Sequence, residues 1–476
     1  MKYILISTLL CIIAFNTTAQ QVNDYEINVE FFPKKAQMWG FSVSPDAFMR
    51  GNSLVRLAET TSDSICFYLH GELKIDSIIS NGERLNYQSE KVLYQLSYNK
   101  LAVKTILASS QLGSDKSLKI YYSGFMNPSK AGSLSNYMHI NKNSGVFLRS
   151  QGYSLWFPVF QHPNQDEYEA NFKTVSVNLP KNFKCVVNGQ LLSEKIENDR
   201  YNCVWKPGFT NVSYLQITAR EFEIATKDNV SVYYLNNKEI ANKIIDYTIQ
   251  LRKLYEEKFQ KVNNSSALHL IEMPKYGDIW SLSVIGIRSK TFNRFDKSIY
   301  TKSTIAHELV HPYVRIPVAN SNPFSALVIE GFPSFFDKYA LHKTLDKTSF
   351  NLKEEMQEIE KEYLKNRKTG KNWRGDQLPI EKPILQITHS EIGQYKDEFV
   401  LSDRVSLFLY HLWSKMGDNK YDKFLKELFQ FTSINYTSFE QLILKYLPDY
   451  KENLNIWLNT TDYPKQIQLE DNNLNS

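Results

Sequence analysis

The chain has 476 residues, a net charge of +5, 42% apolar and 13% aromatic residues. That length and core-forming content suit two or three packed domains and exclude a disordered tail protein. No dense Lys/Arg block occurs, so the composition points to neither nucleic acid nor an anionic membrane surface as a partner.

In chain order, the first segment reads as a targeting sequence. Lys2 precedes an apolar run from Tyr3 to Phe15, and Asn16-Thr17-Thr18-Ala19-Gln20 places small residues where a signal peptidase reads. The expectation is a signal peptide over 1–19, cleaved after Ala19, and a protein exported to the periplasm or secreted. Cys11 lies inside the apolar run without a lipoprotein box, so a soluble form is expected over a lipid anchor. No later run reaches the eighteen or so apolar residues that span a bilayer.

Residues 20–226 carry strand signals. Short apolar or alternating runs recur, such as Ser64-Ile65-Cys66-Phe67-Tyr68-Leu69, Leu118-Lys119-Ile120-Tyr121-Tyr122 and Thr174-Val175-Ser176-Val177-Asn178-Leu179, separated by Gly, Asn, Asp and Pro. They predict an antiparallel β-sandwich domain. Cys66, Cys185 and Cys203 remain after the targeting segment. Cys185 and Cys203 fall on strand-like runs with a turn-rich middle. Two readings stand: a disulfide across neighbouring strands, permitted by export, or three small buried apolar groups.

The β pattern gives way to helix around Phe222–Asp228, which sets a boundary at 226. In residues 227–476, Ile240, Ile244, Ile245, Ile249, Leu251 and Leu254 recur at helical spacing. A strand follows at Leu268-His269-Leu270-Ile271, then His307-Glu308-Leu309-Val310-His311. On a helix, histidines four apart project from one face a turn apart, so both imidazoles reach one ion. Glu308 lies beside that face, where a carboxylate contacts a metal-held water without being a ligand. A catalytic zinc site takes three protein ligands. Eighteen residues after His311 stands Glu330, in Ile329-Glu330-Gly331-Phe332, on a second predicted helix with Asn322 at its cap and Pro323 at its first position.

The pattern HExxH, eighteen residues, then Glu-Gly-Phe resembles the gluzincin metallopeptidases of the aminopeptidase N and leukotriene hydrolase type. Trp156-Phe157-Pro158, with Asn188-Gly189 further on, is similar to a stretch of the same family and extends the resemblance beyond the metal motif. The resemblance implies a multidomain α+β protein, with the N-terminal antiparallel β-sandwich followed by a thermolysin-like, largely helical peptidase domain. It also implies one Zn2+ on His307, His311 and Glu330, Glu308 as general base, and a peptide or protein substrate. For oligomeric state the sequence gives no signal.

Three departures from the family pattern bear on activity. Where the family carries a glutamate that clamps the substrate's amino group, the segment Pro274–Gly286 has Leu282 or Ser283, with Asp278 as the other acid within reach. Ser402 falls at the position of the family's oxyanion-binding tyrosine, which leaves Tyr395 as the candidate for that role. Pro312 and Pro333 follow the ligands closely, and Pro312 is expected to end or kink the His307 helix at His311. Two readings result: a metallopeptidase of uncertain exo- or endopeptidase type, or a peptidase-like binding or structural protein that keeps the fold.

Overall fold

The computed structural model describes residues 21–33, 48–58, 62–95, 100–125, 138–141, 145–149, 155–160, 169–212, 215–259, 267–273, 279–281, 283–314, 316–372, 374–395 and 399–464. The expected signal peptide with Cys11, the segment Gly152–Ser154, the segment Pro274–Asp278 and Leu282 lie outside them. A β-rich N-terminal region precedes a largely helical C-terminal one, and the chain divides into compact units Met1–Arg220 and Glu221–Ser476.

The first unit is built on a nine-stranded sheet. Its backbone runs in the order Gln190–Glu197, Arg200–Lys206, Glu169–Pro180, Val22–Phe32, Phe48–Leu57, Ser117–Phe125, Leu73–Ser80 and Glu83–Arg84, with Gly208–Asn211 also pairing with Glu169–Pro180. Alternation sets the faces: Tyr25, Ile27, Val29 and Phe31 are buried, whereas Glu26, Asn28 and Glu30 point outward. Four- and three-stranded sheets complete the unit. One pairing departs from the expected antiparallel order, because Val22–Phe32 runs parallel to Glu169–Pro180, with Val29 opposite Val177. A parallel pair needs a long crossover, and here most of the unit is that crossover.

Trp156 and Phe157 are fully buried. Phe157 meets Tyr25 edge-on at 5.6 Å, and Tyr25 stacks on Phe172 at 5.0 Å. The Asn188-Gly189 pair closes a turn in which Asn188 Oδ1 accepts from the Gln216 amide at 2.7 Å. Gly189 has φ +94° and a Cβ there would lie 2.2 Å from the Lys206 carbonyl oxygen, so only glycine fits.

The second unit opens with a hairpin, Glu223–Lys227 and Val230–Tyr234, turned by Asp228 and Asn229 in the left-handed region at φ 48° and 62°. It belongs to a five-stranded sheet that also contains Leu268–Met273, Val284–Arg288 and Ile279–Ser281, with the inner pairs parallel and the outer ones antiparallel. The helix Lys238–Lys258 follows, capped by Asn237, whose side chain accepts from the Ile240 amide. It buries Ile240, Ile244, Ile245 and Leu251 of the predicted stripe, with Ile249 and Leu254 at its margin.

The C-terminal helices close around Arg404, a guanidinium with no solvent exposure. It pairs with Glu381 at 2.8 Å and donates to the carbonyls of Ile456, Trp457, Thr460 and Asp462. Every donor is used, which offsets the cost of burying the charge. Arg404→Ala would leave Glu381 without this partner and free four carbonyls, and is expected to lower unfolding stability by about 3–5 kcal/mol. Chemical denaturation followed by tryptophan fluorescence checks this.

Candidate metal centre

The helix Ile299–Val310 carries the HExxH motif, burying Ile305, Ala306, Leu309 and Val310. The Tyr255 hydroxyl from the Lys238–Lys258 helix donates to the Ala306 carbonyl at 3.0 Å, which fixes the helix one residue before His307. Regular helix ends at Val310, with His311 as its C-cap at φ −45°, ψ −48°. Pro312 explains the stop: lacking an N–H, it leaves the Glu308 carbonyl without its helical donor. His311 nevertheless keeps helical dihedrals, so its ring stays on the His307 face, with centroids 5.1 Å apart and planes at 82°.

Glu330 arrives on the facing helix. Asn322 starts it, its side chain accepting from the Phe324 amide at 2.9 Å. Leu327–Gly331 forms a π turn in which the Phe332 amide donates to the Leu327 carbonyl, five residues back, before regular helix resumes over Phe332–Thr344. Pro333 has no N–H for the Ile329 carbonyl, and a wide turn just ahead of it absorbs the loss. A second π turn, Val400–Arg404, packs against the first. A Cβ on Gly331 would lie 3.0 Å from Val405 Cγ1, so glycine beside Glu330 permits this close approach.

One ligand atom from each of His307, His311 and Glu330 falls in a group within 4.8 Å, and His307 Nε2 is 3.5 Å from Glu330 Oε2. Donors about 2.1 Å from a tetrahedral ion stand about 3.4 Å apart, so this spacing fits a zinc-sized cation. The His307 and Glu330 side chains keep 22% and 19% exposure, so the group is open to a further molecule. Burial alone would lower the His307 pKa, but the hydrogen bond to Glu330 and the charges of Glu308, Glu330 and Asp337 outweigh it and hold the imidazole above its ordinary value. The surroundings thus favour positive charge at this point. Glu308 is half-buried one residue along, within electrostatic reach of His307.

Asp337 is a participant the sequence reading did not single out. Its Oδ2 lies 3.9 Å from His307 Nδ1 and accepts from Ser303 Oγ at 2.8 Å, while Oδ1 is held by the Lys338 amide. A carboxylate on the Nδ1 side favours the tautomer that leaves Nε2 free to ligate. The signal was present: Asp337 is two helical turns beyond Glu330, and Ser303 one turn before His307. Tyr395 is not tied to this group by any contact among the described residues. It is buried, and its hydroxyl donates to the Ile380 carbonyl at 2.6 Å. Ser402 sits in the second π turn, accepting from the Phe399 amide and donating to Asp403. Of the expected clamp segment, Ser283 is described and is buried before the strand Val284–Arg288.

No family model and no curated protein matches the sequence. Among solved structures, the M1 zinc metallopeptidase of Deinococcus radiodurans superposes with a TM-score of 0.63 at 15% identity, covering 94% of this chain and 96% of its own. The fold is that of the M1 zinc metallopeptidases. A variant of the Deinococcus protein, bound to a Tyr-Ser-Ala substrate, gives a TM-score of 0.60 at 15% identity over the same shares. Native yeast LTA4 hydrolase gives 0.64 at 13% identity over 95% of this chain and 69% of its own. At such identities the likeness concerns the M1 fold, and the case for chemistry rests on this chain's own residues. No described helix is long and apolar enough to cross a membrane.

Asp337→Asn keeps the size of the side chain but removes its charge. It is expected to weaken divalent-metal binding about 10- to 100-fold with little change in far-UV circular dichroism. Competition titration against a chromophoric chelator measures this.

Proposed function

We propose that the chain is an exported zinc-dependent metallopeptidase, acting on peptides or proteins in the periplasm or outside the cell. The observation that carries this reading is the convergence of His307, His311 and Glu330 donors from two facing helices, with the non-ligand Glu308 beside them. Two imidazoles and a carboxylate are a donor set suited to zinc. The Deinococcus protein's Tyr-Ser-Ala substrate supports a peptide for this fold.

When bound, zinc supplies Lewis-acid polarisation of the scissile carbonyl and acidifies a water. The protein's own groups do the rest. His307 and His311 would offer neutral nitrogens from a helix held by Tyr255, and the Asp337 carboxylate, 3.9 Å from Nδ1, favours the His307 tautomer with its proton on that side. Glu308 takes the proton of the attacking water and delivers it to the departing amine. The hydroxyl of Tyr395 would have to leave the Ile380 carbonyl before it could donate to a developing oxyanion.

That engagement of Tyr395 favours a second reading, a peptidase-like binding protein that keeps the fold and the metal but turns over slowly. Glu308→Gln separates the two. The amide cannot accept the water's proton, so in an active enzyme cleavage of a peptide library falls by at least about a hundredfold while zinc content stays unchanged. Cleavage that is measurable in the wild type and undiminished in the variant would assign the base wrongly. Absence of cleavage in both would leave the binding reading.

Specificity follows from the clamp segment. With no glutamate at Leu282 or Ser283, a free ammonium lacks the dedicated carboxylate that the family uses to clamp it beside a dipositive ion. N-acetylated peptides are therefore expected to be cleaved at least as fast as the same peptides with free amino termini. Paired rate measurements decide this, and a strong preference for the free amine would shift the role of clamp to Asp278.

A further inference from the structure

The first unit contains a feature that the metal centre does not use. Cys185 lies on the strand Lys184–Val187 of the four-stranded sheet and Cys203 on Arg200–Lys206 of the nine-stranded sheet. Each keeps 1% of its accessible surface. Alternation sends Tyr201, Cys203 and Trp205 inward while Arg200, Asn202 and Val204 sit at the outer face. On its own sheet Cys185 stands opposite Ala219, and Cys203 opposite Val177, so neither thiol meets the other through strand pairing. The two strands approach each other across the core, which makes Cys203 a neighbour of the Cys185 thiol, and both are free thiols in the structure. Cys203 also lies 3.8 Å from the Val177 carbonyl. Cys66 is elsewhere, half-buried on Ser64–His70 with Tyr68 and Lys104 as its neighbours. The three cysteines after the targeting segment thus sort into a facing pair and a single thiol.

We propose that Cys185 and Cys203 are joined by a disulfide in the exported protein, tying the four-stranded sheet to the nine-stranded one. The oxidising compartment is the one implied by the N-terminal segment, and the bond is independent of the metal centre. It encloses a loop of roughly twenty residues. That loop contains Gln190–Glu197, the edge strand of the large sheet, exposed along nearly its whole length with Leu192 and Ile196 uncovered. This strand is paired on one side only, with Arg200–Lys206, and fixing both ends of its loop limits how far its open edge swings toward pairing with another chain.

Burial, aided by Cys203, pushes the Cys185 thiol well above its ordinary pKa, so in the folded state little thiolate forms. Oxidation therefore belongs to folding, before the sheets close. The two thiols give up two protons and two electrons, an S–S bond forms between their Sγ atoms, and the disulfide of a thiol oxidoreductase or of glutathione is reduced to two thiols.

The test begins with the wild-type chain. The full chain is unfolded with reductant, refolded against mixed reduced and oxidised glutathione, and its folded monomer alkylated with N-ethylmaleimide in urea before peptide mapping. The expected result is a Cys185–Cys203 cross-linked peptide with Cys66 alkylated, and alkylation of both only after reduction. Reduction is also expected to lower the melting temperature by on the order of 5–10 °C. The Cys185→Ala/Cys203→Ala double variant should show no such sensitivity to reductant. Full alkylation of Cys185 and Cys203 in the oxidatively refolded monomer, or a bridge from either to Cys66, would overturn the proposal.

Discussion

A tetrahedral ion requires donors about 3.4 Å apart, and the candidate metal site of the second unit depends on that spacing. Helix pitch delivers two of them, because residues four apart share a face. The third comes from a separate helix, so the approach of Ile299–Val310 to the Leu327–Thr344 stretch decides whether a site exists at all. Much of the surrounding structure sets that approach. Tyr255 holds the first helix from behind through the Ala306 carbonyl. Gly331 lets the second settle against Val405, and Arg404, buried and fully hydrogen-bonded, anchors the π turn that leads into Val405. A charge buried at a distance from the candidate ligands is thus linked to Glu330 through two packed π turns.

The two prolines show how a local penalty becomes part of the site. Each removes a helical hydrogen bond, and an uninterrupted helix through either position would be strained. Pro312 ends its helix just after the second histidine, once both rings are placed. Pro333 is accommodated by the wide turn that contains Glu330. In neither case is the candidate ligand displaced, since His311 remains at helical dihedrals and Glu330 Oε2 lies 3.5 Å from His307 Nε2.

What the sequence disclosed and what it withheld divide along the range of the interactions. His307, His311 and Glu330 could be picked out as a group able to hold a metal, with Glu308 beside them, because their chemistry is rare and their spacing local, and the stripe Ile240 to Leu254 because helical periodicity is local too. The end of the His307 helix at Pro312 was readable for the same reason. The parallel pairing of Val22–Phe32 with Glu169–Pro180 was not, since alternation fixes which face a side chain takes but not the direction of its neighbour. Nor was the hairpin Glu223–Lys227 and Val230–Tyr234, which joins the second unit's sheet where the sequence suggested a passage into helix. Asp337 and Ser303 were marked by helical spacing once Glu330 and His307 were known, but Asp and Ser are too common to stand out alone. Arg404 carries no local signal of burial, because the carbonyls it donates to lie more than fifty residues away. Tyr395 was one tyrosine among 29, and its bond to the Ile380 carbonyl could not be foreseen from spacing.

The central claim is that His307, His311 and Glu330 hold one catalytic zinc ion. Elemental analysis of the purified chain, beside its His311→Ala variant, tests it most directly. The account predicts about one zinc per chain in the wild type and loss of most of it in the variant, with the fold retained by circular dichroism. Full zinc content in a folded His311→Ala protein would contradict it and place the ligands elsewhere.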